Sequence, residues 1–274
     1  MKFFCPICNE NAKRIFISKH KKSIYECKNK NCGHFFTPPH KENQGIVPRF
    51  ENIETLSDKS LSEFGERNER LLNLFTNKLD KKDYPINFLD YGAGVAHVSR
   101  TFKQVLGAKA NIYCLEANPA CLNLYEKYGL TQILTLNELN KKIDFVFMIE
   151  VIEHIEDPIV AMRQIIPYLN TNGLLFLSTP MGSRIENKTN AYDTPSHLHF
   201  FSKKSLNLML KKSGFSEISY KYYPEMYPIS QSKYIKLKIA VKKLISKLLF
   251  NSKNSITHLV GFTKYENKFD KKPN

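Results

Sequence analysis

Apolar positions fall into two patterns along this chain. Short, nearly continuous apolar runs occupy residues 87–90, 112–117, 142–149 and 172–180, with turn-forming residues between them. Runs of that length read as strands buried on both faces. A different period precedes them: Leu61, Phe64, Leu71, Leu72, Leu74, Phe75 and Leu79 share one face with charges opposite, which predicts a helix starting near Ser60 and closed off by Pro85. Two later strands are expected at 215–222 and 257–265. Between them Leu237, Val241, Leu244, Ile245 and Leu248 form an apolar stripe with lysines on the other side. Strands alternating with helices predict a mainly parallel α/β sheet.

The first forty residues follow neither pattern. Residues 15–17 and 23–26 read as two short strands joining two cysteine pairs, Cys5 with Cys8 and Cys27 with Cys32. Zinc takes four soft ligands in a tetrahedron, and a Cys-x-x-Cys turn supplies two of them from one knuckle. So short a segment buries too little to fold alone, and a structural Zn2+ would supply the missing free energy. His34 is the alternative fourth ligand if Cys32 points away. Such a site has a full protein shell, so its role is structural. Cys114 and Cys121 read as buried core residues. The polar stretch after Thr37 reads as a linker. The expected organisation is a zinc ribbon over 1–40, a linker over 41–57 and an α/β domain over 58–270 that carries a basic helical insertion at 223–255.

Charge changes this picture only at the ends. Of the net charge of +15, residues 1–45 contribute 9 Lys/Arg against 3 Asp/Glu, and residues 231–274 contribute 11 against 2. The middle is neutral. The stripe at 231–253 has three readings: a cap helix over the site, a contact with an anionic membrane or lipid-linked substrate, or a grip on RNA backbone. RNA ranks last, because no aromatic-interleaved platform accompanies the lysines. No signal-peptide pattern opens the sequence and no apolar run reaches membrane-spanning length, so the expected location is cytoplasmic, with peripheral contact at the inner face of the membrane as the variant.

The most informative segment is the turn after the first long strand. Asp90 ends that strand and Gly92 and Gly94 follow, where the backbone can pass close to a ligand. Glu116 ends the next strand. Neighbouring parallel strands would put its carboxylate beside the glycine turn, where it can hold both hydroxyls of a ribose.

These residues resemble the class I S-adenosylmethionine-dependent methyltransferases. The family motif acid-x-Gly-x-Gly-x-Gly falls on Asp90, Gly92 and Gly94, with Ala96 at the third glycine, a position read as serving packing. Glu116 matches the ribose-binding acid. Residues 142–158, containing Glu150, Glu153, His154, Asp157 and Pro158, look like the fourth strand and its Glu-Val-Leu-Glu-His-x-x-Asp-Pro extension in small-molecule and ubiquinone-pathway members. The fifth strand at 172–180 and the late block His197-Leu198-His199-Phe200-Phe201-Ser202 also fit. A dinucleotide-type Gly-x-Gly-x-x-Gly is not met. The cysteine-rich start is similar to that of members tied to surface polysaccharides, and a ribosomal RNA guanine methyltransferase family also opens with a zinc module.

The resemblance implies a Rossmann-like, seven-stranded class I methyltransferase sheet with S-adenosyl-L-methionine as cofactor. Asp90, Gly92, Gly94, Glu116, Ala117 and Glu150 would bind it. His197, His154 and Glu153 are the candidate catalytic residues. Spacings of three and four would put Glu150, Glu153 and His154 on one helical face, and with His197 (His199 second) they form a candidate site for Mg2+ or another divalent cation. The competing reading makes that turn a helix cap that orders the pocket. His97 reads as pocket lining, and Tyr192 and Asp193 as parts of the substrate loop. The expected activity is O-methylation of a small molecule, sugar, or polysaccharide or lipid-linked precursor. The alternatives are an RNA methyltransferase and a cofactor-binding scaffold without turnover.

Overall fold

A computed structural model describes residues 2–18, 21–38, 68, 69, 72, 85–180, 182, 196–222 and 258–264. The expected linker at 41–57, the basic insertion at 223–255, Tyr192 and Asp193 lie outside the described residues, as does most of the helix expected from Ser60. Among the described residues no helix is long and apolar enough to cross a membrane.

Two sheets organise the chain. The larger contains β5 (Ile86–Tyr91), β6 (Ala110–Leu115), β7 (Thr131–Ile133), β8 (Ile143–Ile149), β9 (Leu169–Pro180), β11 (Ser216–Tyr222) and β12 (His258–Lys264), in the order β11-β12-β9-β8-β5-β6-β7. Only β9, β8, β5, β6 and β7 run parallel to their neighbours. Five of the seven strands therefore form the parallel block. The remaining two attach antiparallel: β12 lies against β9, and β11 against β12.

The central strand shows why the sequence folds this way. Ile143–Ile149 is apolar almost throughout and buried along its length, as a strand covered on both faces must be. Side chains alternate across the sheet. Phe145 and Phe147 join Phe88, Phe102 and Phe176 on one face, while Val146 and Met148 join Leu89, Leu175 and Leu177 on the other. Ring centroids of Phe88 and Phe147 lie 5.5 Å apart, and Phe102 meets Phe147 edge-on at 4.9 Å. Each such ring contributes roughly 1.5–3 kcal/mol by burial.

Helices α1 (His97–Leu106), α2 (Leu122–Lys127), α3 (Pro158–Ile165) and α4 (Lys203–Lys212) cover these faces. Asp157 caps α3 by accepting from the Val160 amide at 2.9 Å, with Pro158 opening the helix. Ser202 and Ser205 cap α4 reciprocally.

The smaller sheet has the order β1-β2-β3-β4-β10, built from β1 (Phe3–Phe4), β2 (Asn11–Ile17), β3 (Ser23–Cys27), β4 (Phe35–Phe36) and β10 (His199–Phe200). Its last strand comes from the late block, with His199 opposite Phe36, 163 residues away, and Phe200 opposite Phe35. Cys5, Ile7, Cys27, Cys32 and Phe36 belong to the same buried cluster as Leu89 and Phe201, so the cysteine-rich start packs into the core of the larger sheet.

Candidate functional site

The turn after β5 is shaped by three residues with left-handed backbone: Gly92 (φ 72°), Gly94 (φ 55°) and Ala96 (φ 53°). A side chain at Gly92 would strike Val151, whose methyl carbons would lie 2.8 and 2.9 Å from its Cβ. At Gly94 a Cβ would meet nothing within 4 Å, so this glycine leaves open space above the turn. Ala96 is fully buried, as expected of a packing position. It also holds a conformation that favours glycine, so packing is only part of its role.

Glu116 sits where the parallel register of β5 and β6 puts it. Its Oε2 accepts from the Gly94 amide at 2.9 Å and its Oε1 from the Asn118 amide at 3.0 Å. Gln132 steadies the same loop by donating to the carbonyls of Glu116 and Asn118. Ala117 lies exposed between them. Tyr125 donates its hydroxyl to the Gly94 carbonyl, and the Cys121 thiol points at the same oxygen. Cys114 and Cys121 are both fully buried.

Asp90 lies beneath the turn, 5% exposed, and accepts from the Ser99 hydroxyl at 2.6 Å. Burial raises its pKa from 3.8 to about 6, with the Ser99 hydrogen bond opposing and Glu116 adding to the rise. A carboxyl with a raised folded pKa contributes stability that is present below 3.8 and lost as pH rises through about 6. Asp90→Asn is therefore expected to stabilise the protein by roughly 1–3 kcal/mol at pH 7.5 and to gain little at about pH 4. Melting curves at the two pH values check this; equal gains at both would show that ionisation is not the cause.

The second group of polar residues follows β8. Glu150 has φ 56°, which breaks any helical run, so Glu150, Glu153 and His154 do not share one helical face. Glu150 turns to the end of β9, where its amide donates to the Ser178 carbonyl at 3.0 Å and its carboxylate accepts from the Ser178 hydroxyl at 2.8 Å. The 3-10 turn Ile152–His154 holds the other two. Ligand atoms of Glu153, His154 and His197 lie within 4.8 Å of one another, and Glu150 is outside this group. Three of the four residues expected for a second metal thus come together.

Glu153 is 1% exposed; its Oε2 accepts from the Thr179 hydroxyl at 2.9 Å, and its Oε1 is buried with no hydrogen-bond partner. Burial, and then the charge of Glu150, push its pKa well above the usual carboxylate range. His154 keeps 35% of its side chain exposed, yet desolvation on its inner side lowers its pKa; a hydrogen bond between Nδ1 and the Ser196 carbonyl (3.1 Å) opposes this. The rings of His154 and His197 meet edge-on at 4.7 Å. A buried carboxylate oxygen that accepts no hydrogen bond, 4.0 Å from His154 Nε2 and beside a second imidazole, fits a divalent cation. Two nitrogen ligands suit iron or zinc better than Mg2+, which prefers oxygen.

His199 does not join this group. It faces the smaller sheet, its Nδ1 3.1 Å from Nε2 of His34, with both rings buried. Burial lowers the pKa of His199 to about 4 and that of His34 well below its usual value. His34 is thereby taken up, and Cys32 occupies the fourth corner of the cysteine cluster.

The sulfurs of Cys5, Cys8, Cys27 and Cys32 lie within 4.8 Å of one another, and all four are free thiols. Cys5 and Cys32 sulfurs are 3.8 Å apart, and those of Cys8 and Cys27 3.3 Å. A zinc–sulfur tetrahedron has edges of about 3.8 Å. The thiols also conflict electrostatically. A hydrogen bond from Cys32 pulls Cys5 down to about 6, that same pairing pushes Cys32 up, and burial pushes Cys27 up to about 12. Four thiolates can coexist at such separations only around a cation, so the donor set and spacing fit Zn2+.

Ser178 and Thr179, which aim the two glutamates, stand in the expected fifth strand but carry no motif. Nor did any local signal mark Lys22, whose Nζ donates to the His197 carbonyl at 2.7 Å.

Solved structures share this fold. A chain from a Haloferax volcanii complex containing the Trm112 methyltransferase activator has a TM-score of 0.56 at 10% identity, covering 80% of this chain and 99% of that one. The plantazolicin methyltransferase BamL, solved with SAH and a triazolic desmethylPZN analog, has a TM-score of 0.50 at 13% identity, covering 78% and 90%. YcgJ from Bacillus subtilis has a TM-score of 0.50 at 14% identity, covering 73% and 99%. At such identities the likeness concerns the fold. Among curated proteins none matches this sequence. The family described as "Methyltransferase domain" matches residues 64–220, more than half of the chain, and the protein belongs to that family.

Proposed function

We propose that this chain is an S-adenosyl-L-methionine-dependent methyltransferase acting on a hydroxyl of a small molecule, with sugars and polysaccharide or lipid-linked precursors as the leading acceptors. The observation that carries the reading is the donor cradle: Glu116 beside the open space over Gly94, at the carboxyl ends of β5 and β6. A ribose donates its two hydroxyls to the remaining lone pairs of that carboxylate. Asp90 sits beneath the turn and Glu150 at the next strand end.

Bound there, the donor supplies a methyl group already activated by its sulfonium. What remains for the protein is alignment and proton removal. The acceptor oxygen forms a bond to the methyl carbon as the carbon–sulfur bond breaks, the electron pair stays on sulfur, and the hydroxyl proton passes to an imidazole. His154 suits that role because desolvation favours its neutral form, and His197 lies against it. Glu153 would hold the pair in place, or with both histidines would hold a divalent cation that acidifies the acceptor hydroxyl.

The test is transfer of a radiolabelled methyl group from S-adenosylmethionine to a panel of sugar nucleotides, lipid-linked sugars, phenols and bulk tRNA and rRNA. Label in a sugar-containing acceptor, lost in His154→Gln with His197→Gln, supports the reading. Label confined to RNA, with binding that falls steeply with salt, moves the assignment to the RNA alternative. Manganese binding followed by electron paramagnetic resonance, lost in Glu153→Gln, decides for the cation.

A further inference from the structure

The cysteine-rich sheet and the group after β8 are joined by one short segment, residues 196–201. On one side it is fastened to the N-terminal sheet. His199 and Phe200 pair with Phe36 and Phe35, the Thr37 amide donates to the Leu198 carbonyl at 2.9 Å, and His34 meets His199. On its other side the same segment is fastened to the 3-10 turn. The Leu198 amide donates to the Glu153 carbonyl at 2.8 Å, and the Ser196 carbonyl meets His154 Nδ1. His197 stands between the two sets of contacts.

One side chain reaches His197 itself from the far sheet. Lys22 follows the β2–β3 turn, is 5% exposed, and sends its Nζ 2.7 Å to the His197 carbonyl and within 5.9 Å of the Phe200 ring. Burying a lysine is costly and is repaid only where the ammonium makes a specific bond. A charged donor on a backbone carbonyl is one of the stronger hydrogen bonds, and it fixes the peptide from which the imidazole springs.

We propose that Lys22 is a positioning residue that sets His197 against His154 and Glu153, so that the N-terminal cysteine-rich sheet forms one wall of the acceptor site. This deepens the methyltransferase reading and rests on it for the word acceptor. The placement of His197 itself does not depend on that reading. The sheet is then neither a detached binding module nor a mere stabiliser, because its hairpin turn reaches the group nearest the chemistry.

The experiment uses the full, zinc-loaded chain and compares Lys22→Met, Lys22→Arg and the unaltered protein. Histidine ring signals in nuclear magnetic resonance spectra report His197, His154 and the His34–His199 pair separately, and SAH is the probe of the donor cradle. In Lys22→Met the His197 and His154 signals are expected to move or broaden. The His34–His199 signals should stay, and SAH affinity should remain within about twofold of the unaltered protein. Lys22→Arg, which keeps the charge and the reach, is expected to restore them. Unmoved His197 signals in Lys22→Met overturn the proposal. So does simultaneous loss of the His34–His199 signals in both variants, which would make Lys22 a structural element of the sheet alone. If SAH does not bind even the unaltered protein, the methyltransferase reading fails while the His197 readout still stands or falls independently.

Discussion

Glu116→Ala is expected to weaken S-adenosylmethionine binding by about 10- to 100-fold, because hydrogen bonds to a charged group contribute roughly 1.5–3 kcal/mol. The loss has two sources. The ribose would lose its acceptor, and the turn would lose the carboxylate that bridges the Gly94 and Asn118 amides, 2.9 and 3.0 Å away. Glu116→Gln keeps the shape but leaves one oxygen for the two turn amides and puts a donor where the other amide and the ribose need an acceptor. A loss close to that in Glu116→Ala is therefore expected, and an unchanged melting curve in Glu116→Gln would assign that loss to the ribose contact rather than to the turn. Calorimetry with SAH reads both, and unchanged affinity in both variants would contradict this placement of the donor.

Stripping metal from the cysteine cluster is expected to have the largest structural effect. Structural zinc contributes about 10–16 kcal/mol in small modules, comparable to the whole stability of a domain. Removing it should leave Cys5, Cys8, Cys27 and Cys32 without the ion that ties them together and unfold β1 to β4. Because β10 is the edge strand of the same sheet, the loss should not stop there. Hydrogen exchange after chelation should speed up at residues 11–17, 23–27 and 35–36, and also at 197–201, while β5, β8 and their neighbours stay protected. Cys8→Ser should act in the same direction. Fast exchange confined to the first forty residues would mean that the late segment holds its place without the cysteine-rich sheet. No change anywhere would remove zinc from the account.

The parallel core was legible because its signals are local. Strands such as Ile143–Ile149 are apolar almost throughout, and the turn from Asp90 to Gly94 carries its conformation in its glycines. The cysteine spacing was legible for the same reason, since each pair closes its own turn. Glu150 was misread because helical spacing was assumed beyond the end of β8, where a left-handed residue redirects the chain. Ser178 on Glu150 and Thr179 on Glu153 follow from the registry of two neighbouring strands, which no spacing along the chain encodes. The contacts of Lys22 with His197 and of His34 with His199 span 175 and 165 residues. Such pairings are tertiary. They also supply the last strand of the cysteine-rich sheet, His199–Phe200, which no signal near the cysteines announces.

The donor is expected to lie over the glycine turn, against Glu116. Backbone amide signals recorded during a titration with SAH test that placement most directly. Gly92, Gly94, Glu116 and Asn118 should show the largest shifts and saturate together, with β2 and β3 unmoved. Saturating shifts elsewhere, with these four amides unchanged, would contradict it.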